Sequence, residues 1–302
     1  MEIEDIRKIQ SEIKGKIFFD YSVKNLNWFN IGGLTKVFFK PESLNELIKF
    51  LRIYNRRGKI FILGAGSNIL FSDDTFNGVI IKLGKRFNNI SLLDEVKVIA
   101  GGNVLDRNLS EFCMENEISG MEFLSCIPGS IGGGIRMNSG CYRREFKDIL
   151  LSIQAIDFDG NIINISSNEI DFKYRDTNIP NDLIFLSATF IGTKKNKKLI
   201  NEKIIKLKNE KEQTQPSRVK TGGSTFKNPT NKTKRKVWEL IKETVPENIK
   251  FGDAEISKHH SNFFVNTKNA KSKDMIKLIN FTKKEVRKKF NIQLDLEVVL
   301  VD

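Results

Sequence analysis

The amino-acid sequence predicts a globular fold of mixed α-helices and β-strands. Hydrophobic residues make up 39% of the 302 positions and charged residues 29%, which is typical of a globular chain with about two or three domains. Segments with apolar residues at helical spacing are interspersed with short segments rich in β-branched and aromatic residues. We therefore expect helices and strands to share the same cores.

In the first half of the chain, each element is predicted from its apolar pattern. The isoleucines of EIEDIRKIQSEIKGKI have helical spacing, and ESLNELIKFLRIYNRRG is amphipathic. Strands are predicted in TKVFFKP, KIFILGAGSNILF and NGVIIKL. A third helix is predicted in VLDRNLSEFCMENEISG.

The second half begins with a hairpin in LLSIQAIDFDGNIINIS, where Asp159-Gly160 marks the turn. The strand DLIFLSATFIG follows, and the charged segment from Lys194 to Lys211 is a candidate helical connector. Helices are then predicted in KRKVWELIKET and AKSKDMIKLINFTKKEVRKKF, and strands in NFFVNT and LDLEVVLVD. Domain boundaries are expected near Lys85 and Lys206.

The composition limits the functional classes. The net charge of +13 predicts an anionic partner, either a nucleic acid or a small molecule that carries a nucleotide. No window of about 18 apolar residues is present, and the start MEIEDIRKIQ does not resemble a secretory signal, so neither a membrane span nor export is expected. Cys113, Cys126 and Cys141 are odd in number and lack metal-ligand spacing, which predicts no metal site and a reducing cytoplasm.

A glycine loop follows the apolar segment KIFIL and consists of Gly64, Ala65, Gly66, Ser67 and Asn68. A dinucleotide-binding G-x-G-x-x-G motif does not fit, because its third glycine is replaced and the following residues have a strand pattern instead of a helical one. A glycine turn between strands can instead present successive backbone N–H groups to an anion.

A second glycine loop, IPGSIGGGIRMNSG, runs from Ile127 to Gly140. Pro128 and Ser130 suit the start of a helix whose first N–H groups face a phosphate. Together the two loops predict a pyrophosphate held from two sides. A third flexible stretch, KTGGSTFKNP, places Ser224 beside two glycines, and here a structural turn and a substrate-contacting hydroxyl both remain open.

Five motifs taken in order resemble one family. ILGAGSNILFSD, IPGSIGGGIRMNSGCY, FKYRDT, GGSTFKNP and LDLEVVLV, spread from about Ser22 to Val301, resemble the UDP-N-acetylenolpyruvoylglucosamine reductases of the MurB family, in the shorter branch without a tyrosine-bearing insertion. The resemblance implies an α+β fold with a two-part FAD-binding domain of the vanillyl-alcohol-oxidase (PCMH) type and an α+β substrate-binding domain. The implied domains are 1–85 and 86–205 for FAD and 206–302 for substrate.

The resemblance also implies a reaction. NADPH, the co-substrate, reduces FAD, and the enolpyruvyl ether of a UDP-sugar, UDP-N-acetylglucosamine enolpyruvate, is reduced to give UDP-N-acetylmuramate, a peptidoglycan precursor. The enzyme is expected to be a cytoplasmic monomer that binds neither nucleic acid nor membrane. Two alternatives stay open: a nucleic-acid-binding module, suggested by the net charge, and a flavin oxidase of the same fold with another substrate.

Site residues are carried over by their positions in the motifs. Ser224 is implied as the proton donor, Arg175 as the group that holds the developing enolate, and Glu297 as the third catalytic residue. The residues implied to bind substrate are Lys227, Asn228 and His260. Those implied to bind FAD are Gly64, Ala65, Gly66, Ser67, Asn68, Pro128, Gly129, Ser130, Gly132, Gly133, Asn138 and Gly140.

Each catalytic assignment has a structural alternative. From the residues alone, Arg175 could form a surface salt bridge with Asp171 or Asp176. In LDLEVVLV, alternation predicts that Leu294, Leu296, Val298 and Leu300 share one strand face and that Glu297, Val299 and Val301 share the other, which is either a cleft or simply exposed.

FAD attachment is expected to be noncovalent. The two histidines, His259 and His260, both lie in the C-terminal domain, so a histidyl bond from the FAD domain is excluded. Cys126 and Cys141 flank the loop that is assigned to the pyrophosphate, far along the cofactor from the ring. Backbone N–H groups of Gly64–Asn68 and Gly129–Gly133 are predicted to hold FAD.

Overall fold

The structure is a computed structural model that describes residues 4–302. Its α-helices are α1 (Glu4–Ile9), α2 (Leu44–Tyr54), α3 (Asp106–Glu115), α4 (Ile131–Arg136), α5 (Lys197–Thr214), α6 (Val237–Thr244) and α7 (Ser272–Phe290). Within residues 4–302, none of these helices has the length and apolar composition required to cross a membrane.

The strands are numerous and mostly short. They are β1 (Lys16–Ser22), β2 (Leu34–Lys40), β3 (Lys59–Ile62), β4 (Ile69–Phe71), β5 (Phe76–Ile81), β6 (Ile90–Leu92), β7 (Lys97–Gly101), β8 (Ile118–Ser119), β9 (Gly140–Cys141), β10 (Arg144–Glu145), β11 (Leu150–Asp157), β12 (Ile162–Ser166), β13 (Phe172–Lys173), β14 (Asp176–Thr177), β15 (Leu183–Ile191), β16 (Thr193–Lys194), β17 (Lys220–Ser224), β18 (Lys250–Phe251), β19 (Ala254–Ile256), β20 (Phe263–Asn266) and β21 (Val299–Val301).

The chain forms two compact units, and each is assembled from separate stretches of sequence. The first comprises the chain up to Phe19, Val37–Ala65 and Asn77–Lys211, and the second comprises Asp20–Lys36, Gly66–Phe76 and Glu212–Asp302. The predicted three-part division at Lys85 and Lys206 stays a prediction.

The first unit holds two cores. One lies where α1 and α2 cover the sheet β1-β2-β5-β3, and its rings of Phe39 and Phe50 stack 4.2 Å apart. Helix α2 is capped at its start by Ser43, whose side chain accepts the Glu46 N–H, and at its end by Asn55, which has the left-handed conformation. The other core lies between α3, α4 and the antiparallel sheet β12-β11-β15-β7-β6.

The second unit packs α6 and α7 on the antiparallel sheet β17-β20-β19-β18. Strand β21 pairs in parallel with β4, so that Val299 lies opposite Ile69 and Val301 opposite Phe71. The pairing brings the end of the chain beside the strand that follows the first glycine loop.

Most predicted elements are present in the structure, including the hairpin β11–β12, where Gly160 has a φ of 86°. The predicted N-terminal helix is too long. It ends at Ile9, a short 3₁₀ turn follows, and β1 begins at Lys16; the part of the prediction before Glu4 lies outside the described residues. The Glu46 carboxylate accepts the N–H groups of Lys14 and Gly15 and fixes the connection to β1.

The predicted alternation in the last strand holds only in part. Leu294 and Val298 are buried as expected, but Leu300 is 40% exposed and Val301 only 6%. Regular strand structure begins at Val299, after a bend at Val298, and this irregularity shifts the inward face by one residue.

Candidate active site

The first glycine loop joins β3 to β4 and leaves its backbone donors free. Within residues 4–302, the N–H groups of Gly64–Asn68 donate to no acceptor. Gly66 has a φ of 71°, and a Cβ there would lie 2.1 Å from the Leu26 carbonyl oxygen, so only glycine fits. Consecutive free N–H groups on a turn can bind an anion, and this role of the loop stays a prediction.

Lys82 supports this loop and was not predicted. Its Nζ donates to the Gly64 carbonyl oxygen at 2.6 Å, and burial, together with the nearby Lys40, lowers the pKa of its ammonium group. Because the peptide is trans and planar, the Ala65 N–H points away from that carbonyl and therefore away from Lys82. In the sequence, Lys82 could have been noticed only as a lysine near the end of the apolar strand pattern NGVIIKL.

The second glycine loop approaches the first within the first unit. Ser130 is the residue before α4, and a Cβ on Gly64 would lie 2.5 Å from Ser130 Oγ and 3.9 Å from Gly133 N. Ser130 Oγ is buried and has no hydrogen-bond partner among the residues that the structure describes. A buried hydroxyl without a partner is costly, so this oxygen suits a bound polar group.

The N–H groups of the second loop are not all available. Those of Ile131 and Gly132 donate to the carbonyl oxygens of Val104 and Gly102, both at 2.9 Å. In the described part of the chain, the N–H groups of Gly129, Ser130 and Gly133 have no acceptor. The loop therefore offers fewer donors than the predicted run Gly129–Gly133.

Asn138 positions the end of this loop through its side chain. Its Nδ2 donates to Glu145 Oε2 at 3.1 Å and to the Lys173 carbonyl oxygen at 3.0 Å, while its Oδ1 accepts the Lys147 N–H. Gly140 follows in β9, where a Cβ would lie 2.1 Å from a backbone oxygen of β10. Direct contact of Asn138, Gly140 or Pro128 with a cofactor stays a prediction.

Arg175 is anchored in the first unit at the turn between β13 and β14, with a φ of 57°. Its Nη2 donates to the Gly140 carbonyl oxygen at 2.8 Å, and its Nη1 lies 3.9 Å from Glu145 Oε1. Only 16% of the side chain is exposed, so Arg175 is not the solvated surface group that the structural alternative describes. It is a fixed cation beside the second glycine loop.

Ser224 ends β17 in the second unit, where a bulge separates it from Thr221. A Cβ on Gly222 would lie 2.4 Å from the ring of Phe29, whereas a Cβ on Gly223, with its φ of 79°, would meet no atom within 4 Å. The first glycine allows close packing and the second provides the turn. Ser224 is left half-buried beside open space.

Glu297 is held next to the Ser224 segment. Its N–H donates to the Thr225 carbonyl oxygen at 2.9 Å, and its own carbonyl oxygen accepts from Asn68 Nδ2 at 2.9 Å. The second unit thus joins the serine segment, the glutamate segment and the end of the first glycine loop.

Asn262 fixes this arrangement and was not predicted. Its amide bonds both backbone groups of Phe226, with Oδ1 accepting the N–H at 3.0 Å and Nδ2 donating to the carbonyl oxygen at 2.9 Å. Its own carbonyl oxygen accepts the Thr225 N–H. Asn262 is the first residue of NFFVNT, and the sequence pattern there indicates only the end of a strand.

The predicted substrate residues lie around the same segment. The Lys227 N–H donates to the Asp295 carbonyl oxygen at 2.9 Å, and Asn228 Oδ1 accepts the Val237 N–H at 3.0 Å. His260 is half-buried, its ring centroid lies 4.8 Å from that of Phe263, and burial lowers its pKa.

Comparison with known proteins defines the class of this chain. Residues 35–166 match the model of the FAD binding domain, and residues 215–301 match the model of the UDP-N-acetylenolpyruvoylglucosamine reductase C-terminal domain. Together they define a flavin-dependent oxidoreductase and confirm the predicted α+β fold with an FAD-binding domain and a separate C-terminal domain.

Full-length relatives identify the family. A UDP-N-acetylenolpyruvoylglucosamine reductase of Pelagibacter ubique is 55% identical over 301 residues and all of both chains, and one of Rickettsia typhi is 44% identical over 95% of this chain and 96% of its own. The crystal structure of that reductase (MurB) from Thermus caldophilus superposes with a TM-score of 0.82 at 26% identity, over 96% of this chain and all of its own. The chain belongs to the UDP-N-acetylenolpyruvoylglucosamine reductase (MurB) family.

Proposed function

We propose that this chain uses NADPH and FAD to reduce UDP-N-acetylglucosamine enolpyruvate to UDP-N-acetylmuramate, a precursor of peptidoglycan. The observation that carries the proposal is the 55% identity, over the entire length of both chains, to a protein named for this reductase activity. We further propose that the enzyme works as a cytoplasmic monomer on this UDP-sugar.

We assign FAD to the two glycine loops. The proposal is supported by the free N–H groups of Gly64–Asn68, Gly129, Ser130 and Gly133 and by the buried hydroxyl of Ser130, all of which suit a pyrophosphate. Bound there, FAD supplies the reducing equivalents of the reaction. NADPH as their source comes from the family resemblance.

The remaining chemistry is assigned to the chain's own side chains. Reduction of the enol ether develops negative charge on the carbon beside the substrate carboxylate, and Ser224 donates a proton to that carbon. Arg175 and Glu297 stabilise and organise the enolate. Lys227, Asn228 and His260 bind the substrate.

An open space and a fixed neighbouring segment support the role of Ser224. The open space at Gly223 leaves room for a ligand to approach the hydroxyl, and the Asn262 amide fixes the segment that follows. A serine is a weak acid, so its proton must be held in a defined position to protonate carbon at a useful rate.

The proposed reaction is tested by measuring NADPH oxidation by the flavin-loaded enzyme, with and without UDP-N-acetylglucosamine enolpyruvate, under anaerobic conditions. We expect oxidation stoichiometric with substrate and a product two hydrogens heavier. NADPH oxidation that is indifferent to this substrate would contradict the proposal and would favour a flavin enzyme with another substrate.

Noncovalent attachment of FAD is tested by acid precipitation. The yellow colour should remain in the supernatant, because the described loops offer N–H groups and no histidine lies before His259. Colour in the washed pellet would contradict the proposal and would direct peptide mapping to Cys126 and Cys141.

A further inference from the structure

Two of the three cysteines flank the second glycine loop and interact with each other. Cys126 ends the 3₁₀ turn Glu122–Cys126, and Cys141 ends β9, which packs against that turn. Cys141 Sγ donates to the carbonyl oxygen of Phe123, which belongs to the same turn as Cys126, at 3.3 Å, and each thiol shifts the pKa of the other. The residues between them include α4 and all of the loop's glycines.

Positive charge surrounds the pair. Lys211 Nζ donates to the carbonyl oxygen of Cys126 at 2.8 Å, Lys208 lies nearby on the same helix, and Arg175 acts on Cys141. Nearby cations favour a thiolate, which is the reactive form of cysteine. The hydrogen bond from Cys141 lowers the pKa of Cys126, and the same contact with burial raises the pKa of Cys141.

Cys113 provides a contrast within the same unit. It is fully buried, and burial, with the charge of Glu122, raises its pKa to about 12. It therefore remains a protonated thiol at neutral pH. Cys126 is also buried, with 6% of its surface exposed, but it lies beside cations and beside the half-buried thiol of Cys141.

We propose that Cys126 and Cys141 form a redox-responsive pair that a peroxide oxidises to a reversible disulfide across the second glycine loop.

The chemistry balances with hydrogen peroxide as oxidant. The Cys126 thiolate attacks one peroxide oxygen, the O–O bond breaks, and the departing hydroxide takes a proton to become water, which leaves Cys126 as a sulfenic acid. The Cys141 sulfur then attacks Cys126 Sγ, the S–O bond breaks, and a second water leaves with the Cys141 proton. Two thiols and one peroxide thus give one disulfide and two waters.

The disulfide would act close to the proposed catalytic arginine. Its formation draws the two sulfur atoms to about 2.05 Å and fixes both ends of the loop. Gly140, which precedes Cys141, supplies the carbonyl oxygen to which Arg175 donates. Formation of the disulfide therefore changes the backbone next to Gly140, the residue that holds Arg175.

The test is peptide mapping of the full-length, FAD-loaded protein after exposure to hydrogen peroxide and alkylation. Trypsin separates residues 108–136, which contain Cys113 and Cys126, from residues 137–143, which contain Cys141. We expect these two peptides to be joined after peroxide treatment and to separate when a reductant is added. The disulfide should form at least about ten times faster than Cys113 is oxidised.

Three variants assign the bond. Cys113→Ala should still form it, Cys126→Ser should abolish it, and Cys141→Ser should leave a sulfenic acid on Cys126 that dimedone traps. If the wild-type protein forms no joined peptide while any of its thiols is oxidised, or if the joined peptide persists in Cys126→Ser, the proposal is wrong. If a variant fails to fold, fragmentation of the joined wild-type peptide still assigns the bond, and a bond from Cys113 instead of Cys126 would contradict the proposal.

Discussion

At the scale of single residues, the side chains that hold the loops were harder to predict than those proposed to react. Ser224 and the glycines stand in motifs that can be recognised in the sequence. Lys82 and Asn262 act through hydrogen bonds to backbone groups that are distant in the chain, such as Gly64 and Phe226. No local pattern encodes such bonds, because they depend on tertiary packing.

Lys82→Met should weaken FAD binding without destroying the fold. The variant loses a charged hydrogen bond to the Gly64 carbonyl oxygen, and we expect the FAD dissociation constant to rise about tenfold, or about 1.4 kcal/mol. Flavin fluorescence titration measures it. The exposed Lys85, changed to Met in the same way, is the control, and equal affinities in the two variants would contradict the role of Lys82.

His260 should contribute to acid sensitivity. Burial lowers its pKa in the folded state, so as pH falls below about 6.5 the unfolded chain takes up the proton first and the free energy of unfolding decreases. In His260→Gln, we expect a smaller loss of that free energy between about pH 7 and pH 5. Urea unfolding at several pH values measures it.

His259 supplies the matched control for this pH effect. It is exposed next to the half-buried His260, and His259→Gln should retain most of the wild-type acid sensitivity. The same pH profile for His260→Gln and the wild type would show that burial of this ring has no energetic consequence.

At the scale of elements, glycine positions decide how closely the segments approach. The sequence marks KTGGSTFKNP as a loop, but it does not reveal that β17 pairs with β20 through a bulge or that Gly222 faces Phe29. In the same way, strand alternation placed Leu300 inside and Val301 outside, whereas the bend at Val298 reverses them. Irregularities of one residue escape a periodic pattern.

The two glycines before Ser224 should tolerate alanine differently. Gly222→Ala places a methyl group 2.4 Å from the buried ring of Phe29 and should lower the free energy of unfolding by about 2–3 kcal/mol. Gly223→Ala meets no atom and pays only for its left-handed conformation, about 1 kcal/mol. Chemical denaturation measures both values, and an equal or reversed order would contradict this description of the turn.

At the scale of the whole molecule, the order of motifs predicted the family although the compact units are discontinuous in sequence. The sequence predicts domain boundaries near Lys85 and Lys206. In the structure, each compact unit consists of separate stretches of the chain, and Asp20–Lys36 and Gly66–Phe76 belong to the same unit as the C-terminal part. A linear scan cannot assign such stretches, because the contacts that unite them are long-range.

The net charge of +13 made a nucleic-acid-binding module an alternative. Single-strand binding of that kind uses exposed aromatic side chains on which bases stack. Among the phenylalanines of residues 4–302, Phe18 alone belongs to the exposed large hydrophobic side chains, and the others contribute to packed or half-buried positions. The phenylalanine content is thus explained by the cores, whereas the exposed aromatic side chains are mainly Trp28, Trp238, Tyr142 and Tyr174.

The central claim, that Ser224 protonates the substrate in a flavin-dependent reduction, is tested most directly by separating the two half-reactions in Ser224→Ala. Anaerobic stopped-flow absorbance follows FAD reduction by NADPH and then its reoxidation by UDP-N-acetylglucosamine enolpyruvate. We expect wild-type FAD binding and wild-type reduction, with reoxidation slower by at least about a hundredfold, because a positioned general acid contributes about that much. Wild-type reoxidation, or a defect confined to the NADPH step, would contradict the account.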